Sequence, residues 1–87
     1  MNLSGIGSLW LDGKKVKAAV RYAVRIEQRG IMTRASGHVI IEPNEAAILM
    51  ERIDPNSDLF LVLEDGRRWP CTFKSTDGDL AGRGEIR

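Results

Sequence analysis

From Lys15 to Glu27 apolar and polar positions alternate: Val16, Ala18, Val20, Tyr22, Val24 and Ile26 on one side, Lys17, Ala19, Arg21, Ala23, Arg25 and Glu27 on the other. A period of two marks a strand with one buried and one wet face. At about 3.3 Å per residue the segment spans roughly 40 Å, more than a strand can cover while staying flat on a small core. It is expected to coil, which favours a barrel or a strongly bent sheet.

A second alternating run follows Arg29-Gly30. Ile31, Thr33, Ala35, Gly37, Val39 and Ile41 form one face; Met32, Arg34, Ser36, His38, Ile40 and Glu42 form the other. A two-residue loop at Arg29-Gly30 brings the apolar faces together and sets Tyr22 opposite Gly37, Arg21 opposite His38, Arg25 opposite Arg34 and Lys17 opposite Glu42. A slip of one would turn every core residue outward.

Three Asp-Gly pairs, at residues 12–13, 65–66 and 77–78, sit between strand-like stretches. Asp-Gly suits a two-residue type I′ hairpin loop, where both central residues need positive φ. Applied at each turn, that loop sets Leu9 opposite Val16 and leaves Trp10 outside beside Lys15. It sets Val62 opposite Trp69, Phe60 opposite Cys71, Phe73 opposite Gly82 and Cys71 opposite Gly84. Aromatic rings over glycines suggest bends in a closing sheet. The likeness of Leu9–Lys15 to Leu61–Arg68 follows from shared hairpin chemistry.

Contiguous apolar residues break the alternation between Pro43 and Pro55. Asn44 suits a helix cap, Glu45 its first turn, and Ala46, Leu49, Met50 and Ile53 share a face. A short helix over about residues 44–53 is expected, with a further strand as the alternative. Leu59–Leu63 is apolar on both faces, so either the helix covers its second side or that side is buried between subunits. Leu59, Leu61 and Leu63 are therefore the candidate interface residues. The fold expected is mainly β: one domain over 1–87, a small six-stranded antiparallel barrel or strongly bent sheet with one short inserted helix.

Composition narrows the picture little. The chain of 87 residues is 43% hydrophobic with a formal net charge of +1, so any basic site must come from local clustering. Met1–Gly5 lacks the pattern of a signal peptide, and no apolar stretch approaches the roughly 20 residues that cross a bilayer. A soluble cytoplasmic protein without membrane contact is expected. A single cysteine excludes an intrachain disulfide and a thiol-rich metal site.

The candidate chemistry lies on the outer face of the long hairpin. Trp10, Lys15, Lys17, Arg21, Arg25, Arg34 and His38 would form a basic surface with one aromatic ring, suited to a phosphate ligand or a nucleic-acid backbone. His38 has no partner for metal binding or base catalysis, and Cys71 alternates inward with Trp69 and Phe73. Glu64-Asp65, Asp77 and Asp79 sit at turns, where Asp serves backbone geometry. No metal or cofactor is expected, and no enzyme activity.

Arg21 and Arg25, and again Arg25 and Arg29, have the R-x-x-x-R spacing that resembles the PilZ cyclic-dinucleotide receptors. That family adds an Asp or Asn two before a Ser and a Gly three after it. Set on Ser36, these places hold Arg34 and Val39, so the resemblance carries over no residue. The function expected is a non-catalytic binding or assembly module, acting as a homo-oligomer or a component of a larger complex. The alternative is an anion- or nucleic-acid-binding barrel using the basic face.

Overall fold

Seven elements make up the computed structural model, which describes residues 1–87: β1 (Asn2–Leu11), β2 (Lys14–Arg29), β3 (Met32–Val39), α1 (Pro43–Arg52), β4 (Leu59–Val62), β5 (Arg68–Phe73) and β6 (Asp79–Gly82). Every strand pair is antiparallel, in the order β1-β2-β3-β6-β5-β4, and β4 pairs back onto β1. The sheet is thus a closed six-stranded barrel with one short helix. The 16-residue β2 makes closure possible by serving β1 along Lys14–Arg25 and β3 along Tyr22–Arg29.

Inward residues of all six strands, among them Leu9, Val24, Val39, Leu61, Trp69 and Leu80, form the buried core, and Ala46 and Leu49 of α1 complete it. Two aromatic rings lie over glycines, as the sequence suggests, but over different ones. Tyr22 faces Val39 rather than Gly37. Its ring covers Gly5 and Gly7 of β1, and its hydroxyl accepts the Glu64 N–H at 3.0 Å. Trp69 takes the place over Gly37 and also covers Gly82.

The turns differ from one another, and the strand registers follow. Asp12 (φ 51°) and Gly13 (φ 82°) form the expected two-residue loop, with Trp10 opposite Lys15. A bulge then sets Leu9 against Lys17, not Val16. At Asp65-Gly66 the loop has three residues, 64–66, closed by Leu63 N–H to Arg67 O at 2.8 Å with Gly66 at φ +91°. The added residue moves Leu61 opposite Trp69 and Phe60 opposite Pro70. At Asp77-Gly78 the loop has four, 75–78, closed by Lys74 N–H to Asp79 O at 2.8 Å. Phe73 therefore faces Leu80, and Cys71 faces Gly82.

The β2–β3 turn is Gly30-Ile31, not Arg29-Gly30, because Gly30 takes φ +59° and Arg29 pairs with Met32. This slip of two keeps every face and changes every pair. The helix starts at Pro43, a residue preorganised for the first turn. Asn44 lies inside it, and Glu42 occupies the cap position without a side-chain bond.

Candidate functional site

Across the outside of the barrel seam, four side chains stack in sequence. Lys15 Nζ sits 5.4 Å from the Trp10 ring centroid, and Trp10 stacks on Phe60 at 6.1 Å with the planes 8° apart. Arg68 lies 5.2 Å over Phe60. The Trp10 indole N–H donates to Ser8 Oγ at 2.9 Å. This ladder crosses β2, β1, β4 and β5, and it covers the outer side of β4 at Phe60. Trp10 thus lies across the seam, with its ring engaged by Phe60 and Lys15.

Of the seven residues expected to form one basic surface, Lys15 meets Trp10, and Arg21 and His38 border one depression. Arg25 faces Ser36, Arg34 faces Glu27, and His38 faces Ala23, so the expected like-charge pairs are absent. Lys17 Nζ meets Glu45 of α1 at 2.9 Å, and Arg25 Nε meets Glu27 at 3.0 Å. His38 Nδ1 lies 3.0 Å from Asp79 Oδ1, and this hydrogen bond holds the Asp79 carboxyl below its ordinary range. Arg21 has no ion pair. With His38 it borders a shallow depression on the outside of β1–β3, between Ile6 and Ile40. The slip of two at the hairpin thus replaces a cationic stripe with a surface of mixed sign.

Leu59, Leu61 and Leu63 also stand elsewhere than expected. The three-residue loop turns all three into the barrel, with exposures of 1%, 0% and 3%. Their own chain buries them, so they present no surface to a partner. Cys71 lies among them, and burial pushes its thiol up to about 12.

Two features escaped the sequence reading. The first is an arm. The last rung between β1 and β2 is Asn2–Arg25, extended by the Ile26 N–H to Met1 O bond at 2.8 Å; the last between β3 and β6 is Ser36–Ala81. β2 and β3 continue past both, through Glu27–Arg34, Gln28–Thr33 and Arg29–Met32. At the tip Ile31 is fully exposed and Met32 is 59% exposed. The apolar alternation of β2 ends at Ile26, with Gln28 and Thr33 at the positions that would continue the inward face, which is the sequence's only mark of where the barrel stops and the arm starts.

The second is a cleft. After Gly82 the chain leaves β3 and follows β5: Arg83 N–H donates to Pro70 O at 2.9 Å, and Arg68 and Arg87 exchange backbone bonds at 2.7 and 2.9 Å. Between the parted segments lies an opening of about 640 Å³ bordered by Ile26, Arg34, Ala35, Gly82 and Ile86. Glycine at 82 and 84 is the only sequence signal for it.

The chain matches no protein-family model, and no curated protein or solved structure shows a significant likeness to it. No helix is long and apolar enough to cross a membrane.

Proposed function

We propose that this chain is a non-catalytic assembly module that pairs with a second copy of itself through the β2–β3 arm. The observation that carries this reading is the fully exposed Ile31 at the tip of a hairpin extending three rungs beyond the strands flanking it. An isolated two-stranded ribbon is marginal in water. Its free edge also offers unpaired N–H and C=O groups to any strand that approaches. An antiparallel edge-to-edge contact about a twofold axis uses the same edge of each copy, so one chain suffices to build it.

Such a dimer would shelter Ile31 and Met32 of both copies. At roughly 1.5–3 kcal/mol per buried side chain, four of them give about 6–12 kcal/mol. Association costs at least about 4 kcal/mol, and often more. The balance describes a weak, concentration-dependent dimer, in keeping with a component that assembles reversibly or docks into a larger complex. A reduced, cytoplasmic setting suits the single free thiol.

Light scattering on a sizing column at increasing concentration tests the reading. The expected result is a mass rising from monomer towards dimer, and a monomer at every concentration for the chain carrying Ile31→Glu with Met32→Glu. A monomeric unmodified chain at millimolar concentration would sink it.

A further inference from the structure

On the outside of the barrel, neighbouring strands meet in register around one small residue. Ser4 of β1 pairs with Ala23 of β2, Ala23 with His38 of β3, and His38 with Asp79 of β6. In the next outward row Ile6 pairs with Arg21, and the Ile40 N–H donates to the Arg21 carbonyl at 2.9 Å. Ala23 has the shortest side chain of either row, and its neighbours stand around a depression of about 380 Å³. That volume is within the range of small-molecule sites. Ser4, Arg21, His38, Ile6 and Ile40 all border it. The two isoleucines are 49% and 66% exposed, an apolar pair on an otherwise wet face.

The polar side chains of the depression are three donors of different kinds, one from each strand. Arg21 carries no ion pair. His38 Nδ1 is fixed by Asp79 Oδ1 at 3.0 Å, so the imidazolium form has Nε2–H as its second donor. Ser4 adds a hydroxyl that rotates to suit its partner. No carboxylate borders the opening. Glu42 and Glu45 line a separate depression on the far side of Arg21, where Lys17 holds Glu45 at 2.9 Å. A carboxylate ligand has two oxygens for these three donors. A phosphate monoester has three terminal oxygens, and a fourth that carries its organic group.

We infer that the depression over Ala23 binds a small phosphate monoester. Its terminal oxygens meet Arg21, His38 and Ser4, and its organic group lies against Ile6 and Ile40. The inference goes beyond the assembly reading and does not rest on it, because every residue involved belongs to one chain and none to the arm.

The test titrates phenyl phosphate into the ¹⁵N-labelled full chain. The expected result is a set of saturable shifts centred on the Ser4, Arg21, Ala23 and His38 amides. Arg21→Ala should weaken binding about tenfold or more, as loss of a charge-assisted contact does. Arg25→Ala removes a neighbouring cation that does not border the depression, and should change the affinity far less. Ala23→Leu fills the depression from an exposed position and should abolish binding. Methyl phosphate, without the apolar group, and benzoate, with two oxygens, should each bind more weakly than phenyl phosphate. The amide spectrum of each variant shows whether the barrel is intact; should Ala23→Leu fail to fold, Arg21→Ala and the three ligands decide the matter alone. Absence of saturable shifts at these amides overturns the inference. So does an affinity indifferent to Arg21→Ala, and so does either comparison ligand binding as tightly as phenyl phosphate. Repeating the titration on the Ile31→Glu, Met32→Glu chain separates this outcome from the fate of the arm.

Discussion

Trp10 stacks on Phe60 with ring centroids 6.1 Å apart and planes 8° from parallel, at the seam where β1 meets β4. The seam is short: Ser8–Leu11 pairs with Leu59–Val62. Barrel closure at this point rests on few backbone rungs, with Leu9, Leu61 and Leu59 inside and the aromatic pair outside. Trp10→Ala should therefore cost about 1–3 kcal/mol, combining lost burial of a partly buried ring with the loss of an aromatic pair. Trp10→Phe should retain most of that. Urea denaturation of the three chains measures both, and equal stabilities would show that the seam does not need the stack.

The glycines fall into two physical kinds, which substitution by alanine should separate. At Gly7 a Cβ would collide with the Val62 carbonyl oxygen across the seam and press on the Tyr22 ring. Backbone cannot yield there without opening the barrel, so Gly7→Ala should cost about 3 kcal/mol or more. Gly13 has open space around it but a φ of +82°, so Gly13→Ala should cost only the left-handed strain, about 1–2 kcal/mol. Thermal melts of the two variants rank them.

Asp79 joins β6 to His38 of β3 through the 3.0 Å contact to Nδ1. Its carboxyl lies below the ordinary value of 3.8 in the folded chain, first through the hydrogen bond from His38. A depressed carboxyl stabilises the fold above its unfolded value, and that contribution disappears as pH falls through the folded value. The stability difference between the native chain and Asp79→Asn should therefore be present at pH 6 and shrink below about pH 4. Denaturation midpoints measured at pH 6, 4 and 3 follow it; a difference unchanged at pH 3 would contradict the coupling.

The barrel was legible in the sequence because its evidence is the parity of apolar positions. Parity survives a slip of two, so Val20, Tyr22, Val24 and Val39 are inside, as the alternation implies. Pairing does not survive it. Asp-Gly marks where a chain reverses but not how many residues the loop takes, and the three loops here have two, three and four. The proposed basic surface needed Arg25 directly opposite Arg34; a turn moved to Gly30-Ile31 gives each a different partner. The odd-numbered loop at 64–66 fixed which side of Leu59–Leu63 faces inward, and no local signal distinguishes that from a two-residue loop. Trp69 over Gly37 and Gly82 brings β5 to β3 and β6, contacts that depend on strand order and not on any one segment.

Cys71 lies at the centre of that arrangement, fully buried beneath β4, β5 and β6. Removal from water disfavours its thiolate, raising the thiol from 9.0 to about 12. Two consequences follow from the same cause. At pH 8 a thiol reagent should react with the native chain only as fast as the barrel opens, and at an ordinary rate in urea. Above pH 9 the unfolded chain can ionise its thiol while the folded chain cannot, so the fold loses stability steadily towards pH 12. Cys71→Ala would remove this alkaline dependence at the cost of a small cavity. A native chain that reacts at pH 8 as fast as its unfolded form would show that Cys71 is open to solvent and that the core is not closed around it.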